Sequence, residues 1–161
     1  MTNPLTGDFG KMNATAIISR TELARNTRQT VDRVRRGETI LVKSFGEEQI
    51  ALLDIHDYRL LRAVASYKAR PQSPVDHREE APVGLDATSV EEAWNQQGPQ
   101  AAWDLVIHAY LDGDISLGRA GHLLGLNRFD LQVRFHRLGL PMRTGPGDEA
   151  EARADLEALE G

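Results

Sequence analysis

Three arginines lie close together in an otherwise acidic chain. Arg20, Arg25 and Arg28 fall within nine residues, although the 161-residue sequence has a formal net charge of −5. Guanidinium groups bind phosphate, and they also pair bidentately with guanine in the major groove of DNA. Thr21 and Asn26 add short polar side chains that can reach base edges or phosphates. The cluster predicts a DNA contact, and a solvated helix face is the alternative.

Groupings typical of enzyme active sites are not evident in the sequence. The five histidines include no pair four residues apart, the spacing of a helical metal site, and neither G-x-x-x-x-G-K-[ST] nor G-x-G-x-x-G occurs. Asp112 and Asp114 flank Gly113 and could serve a metal-dependent hydrolase or nuclease, but turns use these residue types routinely. We therefore expect no enzymatic activity, no bound metal and no cofactor.

Charge is segregated along the chain. The net charge is +4 over residues 1–70, −5 over 71–99, +1 over 100–147 and −5 over 148–161. This pattern suggests different partners for different segments, with ordinary solubility charge as the alternative for 71–99. The absence of cysteine fits a reducing compartment. The sequence shows no signal-peptide core and no run near the ~20 apolar residues that cross a bilayer, so we expect a cytoplasmic protein that does not contact membranes.

The elements that would position the arginines begin at residue 15. TAIIS (15–19) predicts a short buried strand, and Ser19 with Glu22 forms a capping box that starts a helix ending at Gly37. Helical spacing predicts an apolar face and a charged face. The apolar face holds Leu23, Thr27, Thr30, Val31 and Val34, and the charged face holds Arg25, Arg28, Asp32, Arg35 and Arg36.

A hairpin and a second helix follow. TILVKS (39–44) and QIALLDI (49–55) predict two strands joined by the turn FGEE. Asp54 caps the next helix, which runs to about residue 69. The N-terminal unit is therefore predicted to be strand, helix, β-hairpin and helix.

The combination of SRTELARNT with VDRVRRGETILVKSFGEEQIALLDIHDYRLL resembles the Phd/YefM antitoxin family. Glu22, Leu23 and Asn26 match the helix-start pattern, Gly37-Glu38 matches the helix end, and Asp57-Tyr58 matches the second helix. The resemblance places this unit at about residues 13–69. It implies a dimer that binds operator DNA with the starts of both first helices, and a C-terminal segment that neutralises a toxin.

The rest of the chain predicts a linker and a helical unit. Residues 70–99 form an acidic, Pro-containing linker, in which DATSVEEAWNQQG could be a short capped helix. AAWDLVIHAYL (101–111) is a predicted helix. Two further short helices, capped by Ser116 and Asn127 and joined by GLN, have the dimensions of a helix-turn-helix. GDEAEARADLEALE (147–160) is a candidate acidic helix.

This second unit has a resemblance of its own. DGDISLGRAGHLLGLNRFDLQVRFHRLGLP and the acidic segment after it are similar to small prokaryotic helix-turn-helix proteins that are often encoded beside PIN-like nuclease toxins. If this unit reads DNA, Arg128 and Gln132 lie on the early exposed side of its last helix. A protein-docking or dimerisation module is the alternative.

Together these patterns predict an α+β protein with three parts. A dimerising DNA-binding domain occupies residues 1–69, the linker 70–99, and a helix-turn-helix domain with an acidic tail 100–161. The expected function is that of a type II antitoxin. It would bind operator DNA as a dimer or higher homo-oligomer, repress its own operon and neutralise a cognate toxin, for which a PIN-like nuclease is the candidate. A stand-alone transcriptional regulator without a toxin is the alternative.

Overall fold

A computed structural model of the chain describes residues 15–71 and 84–143. Across those residues it contains three strands and seven helices, which confirms a mixed α and β class. The elements are β1 Thr15–Ser19, α1 Arg20–Arg25, α2 Thr27–Arg35, β2 Thr39–Ser44, β3 Glu47–Leu52, α3 Ile55–Lys68, α4 Ala87–Gln97, α5 Pro99–Asp112, α6 Leu117–Leu123 and α7 Arg128–Arg137. In these two described ranges, no helix is both long and apolar enough to cross a membrane.

Two compact units divide the chain between Tyr58 and Arg59, inside α3. The domain boundary predicted from the sequence lies later, after residue 69. The difference arises because Leu60, Ala63 and Val64, in the later turns of α3, are buried in the apolar core of the second unit. The helical periodicity of α3 predicts an apolar face but does not say which core receives it.

The first unit is built on a three-stranded sheet in the order β1-β2-β3. Strand β1 runs parallel to β2 through the α1–α2 crossover, and β2 pairs antiparallel with β3. One face of the sheet carries the buried core of this unit, to which α2 contributes. Its members are Ile18, Val34, Ile40 and Val42, with Ala16, Leu23 and Leu52 packed against them.

The predicted first helix is two helices that meet at Asn26. The Asn26 N–H donates to the Glu22 carbonyl at 2.9 Å and the Thr30 N–H donates to the Asn26 carbonyl at 2.9 Å, so the chain stays nearly helical across the break. The Thr27 hydroxyl donates to the Leu23 carbonyl at 2.8 Å, a contact that favours bending. On the predicted apolar face, Thr30 and Val34 are buried, whereas Thr27 and Val31 are exposed.

The β2–β3 hairpin has a tighter turn than the sequence predicts. Strand β2 ends at Ser44 and β3 begins at Glu47, so the loop contains only Phe45 and Gly46. Both loop residues have positive φ, 54° and 79°, as a type I′ turn requires. Strand β3 therefore starts earlier than predicted, and it also ends earlier. The Asp54 carboxylate accepts from the His56 N–H at 3.0 Å at the start of α3, in agreement with the predicted cap.

The second unit packs the later turns of α3 with α4 to α7 around one apolar core. Trp103, Tyr110, Leu131 and Phe135 are among its fully buried side chains. Helix α4 lies in what the sequence predicts as linker, so that linker is shorter than residues 70–99. The acidic helix predicted at 147–160 lies outside the described residues.

Candidate nucleic-acid interface

Arg20, Arg25 and Arg28 are all exposed on the α1–α2 pair. In the described part of the chain, none of their guanidinium groups forms a hydrogen bond or an ion pair with a carboxylate. Thr21 and Asn26 are exposed as well. All five side chains predicted for DNA contact in this unit are therefore accessible to a ligand.

The cap of α1 leaves few backbone N–H groups available to bind a phosphate. The Ser19 hydroxyl accepts the Glu22 N–H at 3.1 Å, as predicted. Because α1 contains only six residues, its aligned peptide dipoles are few. Any attraction for a polyanion at this point comes mainly from the arginine side chains.

The break at Asn26 shapes the arrangement of these arginines. Arg25 closes α1, Arg28 lies in the first turn of α2, and Asn26 caps both helices through its backbone. The Asn26 side chain makes no capping hydrogen bond to α2. Its amide therefore retains donors and an acceptor for an external partner.

The end of α2 extends the positive surface. Arg35 and Arg36 are exposed, and sequence reasoning placed both on the charged face without assigning them a function. Arg33 differs, because its guanidinium group pairs with the Glu38 carboxylate at 2.7 Å. Arg33 is thus neutralised within the chain.

The parallel pairing of β1 with β2 brings a further residue to this end of the unit. Ser19 pairs with Lys43, so Arg20 follows β1 at the same end of the sheet as the hairpin loop. In that loop Phe45 is 97% exposed. Sequence reasoning missed Phe45, although a Phe-Gly pair between two strands was a usable signal for a two-residue turn.

The second predicted contact lies on α7, and its residues are less accessible. Arg128 and Gln132 are half-buried beside the core positions Leu131 and Phe135. The exposed side chains of α7 include two large apolar ones, Phe129 at 68% and Val133 at 55%. Exposed apolar side chains of this kind are more typical of a protein–protein interface than of a surface that binds a DNA groove.

The carboxylate pair considered for hydrolysis is occupied by contacts within the second unit. The Tyr67 hydroxyl donates to Asp112 Oδ1 at 2.9 Å, and Arg70 lies 3.2 Å from Asp112 Oδ2. Asp114 also has an interaction partner. The contacts of Asp112 tie the end of α3 to the end of α5.

Comparisons of the chain with models of protein families, with curated proteins and with solved structures found no match.

Proposed function

We propose that this chain is a DNA-binding protein of the antitoxin type. It binds operator DNA as a dimer through the α1–α2 surface and represses its own operon, and its C-terminal region neutralises a partner toxin. The observation that carries the proposal is the exposure of Arg20, Arg25 and Arg28 without intramolecular partners among the described residues. These three guanidinium groups, here called the arginine surface, are suited to bind successive phosphates.

The net negative charge of the whole molecule does not prevent this binding. Residues 20–36 carry six arginines and only two acids, Glu22 and Asp32. Exposed charges further away than about 10 Å are largely screened at 0.1 M salt. The field that a DNA duplex meets is therefore set by the local arginines.

The sheet of the first unit supports dimer formation. Ile17, Leu41 and Ala51 are register partners across the three strands, on the face opposite the buried core. Ile17 is 51% exposed and Ala51 is exposed. A second copy of the chain would bury this apolar row, and a two-fold axis would present two arginine surfaces to a palindromic operator.

The proposed toxin contact involves the C-terminal half. The acidic residues of 148–161, which have a net charge of −5, would mimic nucleic acid and cover the basic cleft of a PIN-like nuclease. The exposed Phe129 and Val133 of α7 favour protein docking by the second unit over DNA reading. Arg128 and Gln132 remain a separate, secondary DNA candidate.

Two measurements test the proposal. The first is binding of the full chain to a labelled duplex from immediately upstream of its start codon, with an unrelated duplex as competitor. If the chain did not prefer the upstream duplex, operator binding would be excluded as its function. The second is co-purification with the product of the adjacent gene. Operator binding without any such association would favour the alternative, a stand-alone transcriptional regulator.

A further inference from the structure

We propose that the tip of the β2–β3 hairpin is a second DNA-reading element, in which the Phe45 ring contacts a thymine methyl group in the major groove. The inference rests on the proposed function, because the arginine surface must first bring the duplex to this end of the unit. It adds a specificity-determining contact to an interface that otherwise consists of charged and small polar groups.

The backbone at Phe45 is the first observation. Among the described residues, Phe45 is the one non-glycine residue with a positive φ, which is 54°. Type I′ loops strongly favour Asn-Gly or Asp-Gly, because bulky side chains are strained in this conformation. A phenylalanine here opposes folding, and such strain is typical of residues retained for function.

The exposure of Phe45 is the second observation. At 97% exposure, the ring makes almost no packing contact that could compensate for the strained backbone. Neither core packing nor turn formation accounts for a phenylalanine at this position. A contact with an external partner does account for it.

The position of the tip points to DNA as that partner. Ser19 pairs with Lys43, one residue before Ser44 at the end of β2, so Arg20 and the tip extend from the same end of the sheet. A duplex bound by Arg20 and Thr21 therefore passes close to Phe45. The major groove admits a two-stranded β-ribbon, and phenylalanine is one of the side chains that contact the thymine methyl group.

The acids beside Phe45 indicate which part of the duplex the tip meets. Glu47 and Glu48 are exposed at the start of β3. Carboxylates repel phosphate, which disfavours a contact between the tip and the DNA backbone. In the major groove, however, a glutamate can accept a hydrogen bond from cytosine N4. The composition of the tip therefore favours reading of base edges.

The test compares F45N and F45Y with the wild-type full chain on two duplexes. One is the duplex from upstream of the start codon, and the other has the same sequence with uracil in place of thymine, which removes only the methyl groups. We expect the wild type to bind the uracil duplex about fourfold more weakly for each contacted methyl group. F45N should bind the thymine duplex more weakly by a similar factor and should not distinguish the two duplexes. F45Y, which keeps the ring, should distinguish them.

A stability measurement separates this contact from a folding defect. Because asparagine suits the left-handed conformation, F45N should raise Tm by a few degrees while it weakens binding. An F45N protein that distinguishes the duplexes as the wild type does would overturn the inference. So would an F45N protein whose only defect is weaker association with the neighbouring gene's product. If the wild type binds neither duplex, the proposed function fails first, and this inference fails with it.

Discussion

At the scale of single residues, Arg25 and Arg28 have a role that salt can measure. Each phosphate neutralised by a protein contributes about −0.9 to the slope of log affinity against log salt concentration. R25Q and R28Q should each flatten that slope by roughly one unit per subunit if the side chain contacts phosphate. If one of them reads a base instead, its loss should relax sequence preference by about 1–3 kcal/mol. Titrations of a labelled duplex at several salt concentrations provide the measurement.

Lys68 provides a matched control for these variants. It is an exposed cation in the last turn of α3 and is not among the residues predicted to contact DNA. K68Q removes one positive charge, as R25Q and R28Q do, and should leave the slope unchanged. Equal slopes and equal sequence preference in R25Q, R28Q and the wild type would exclude both residues from the interface.

Asp86 leads to a prediction about pH. Hydrogen bonds from the side chain and the backbone N–H of Ser89 lower the pKa of Asp86 below its ordinary value of 3.8. Because the folded pKa is lower than the unfolded one, this cap stabilises α4 above about pH 4 and is lost as the pH falls through the folded pKa. The NMR signal of the Ser89 amide should titrate with a midpoint below pH 3.8.

The D86N variant isolates the carboxylate in this experiment. Asparagine keeps a capping oxygen but does not titrate, so the transition of the Ser89 amide should disappear. A wild-type midpoint at or above pH 3.8 would contradict the assignment of Asp86 as an ionised cap.

At the scale of elements, the packing of α6 against α7 depends on a close approach at Gly121. A Cβ atom on Gly121 would lie 3.0 Å from the Leu126 carbonyl oxygen and 3.3 Å from the Asn127 backbone. In a helix interior, replacing glycine by alanine normally stabilises the fold by about 1 kcal/mol. Forcing the new methyl group against backbone atoms, however, destabilises it by about 1–3 kcal/mol. We expect G121A to lower the free energy of unfolding by about 1 kcal/mol in urea denaturation.

Gly84 is the matched position for this test. A Cβ atom there meets no atom within 4 Å, so G84A should change stability by less than about 0.5 kcal/mol. If G121A were as stable as the wild type, the α6–α7 turn would have to shift freely. The two short helices would then be a looser pair than their contacts indicate.

At the scale of the whole molecule, we propose that DNA and toxin bind to different parts of the chain. The arginine surface lies entirely in the first unit, whereas residues 148–161 carry a net charge of −5. Deleting 148–161 should therefore weaken binding to the neighbouring toxin and leave the affinity for operator DNA intact. Calorimetry with the toxin and anisotropy with the duplex would measure the two affinities. An unchanged toxin affinity would remove the tail from the mechanism.

The sequence by itself determined the elements whose signals are local. Ser19, Ser116 and Asn127 were predictable caps because each side chain bonds a backbone N–H only three residues away. Strand β1 and the extent of α3 followed from short hydrophobic patterns in the same way. The basic helix start could also be predicted, since charge density is visible without any knowledge of the fold.

Only the tertiary structure decided the features that depend on distant pairing. The parallel register of β1 with β2 brings Phe45 to the end of the sheet that Arg20 occupies, and no local pattern encodes that register. The burial of Leu60 with Trp103 likewise places the later turns of α3 in the second unit. Contacts between residues far apart in the sequence depend on packing across the whole fold. Composition and periodicity therefore predicted the helices and strands, and the structure decided which of their side chains meet.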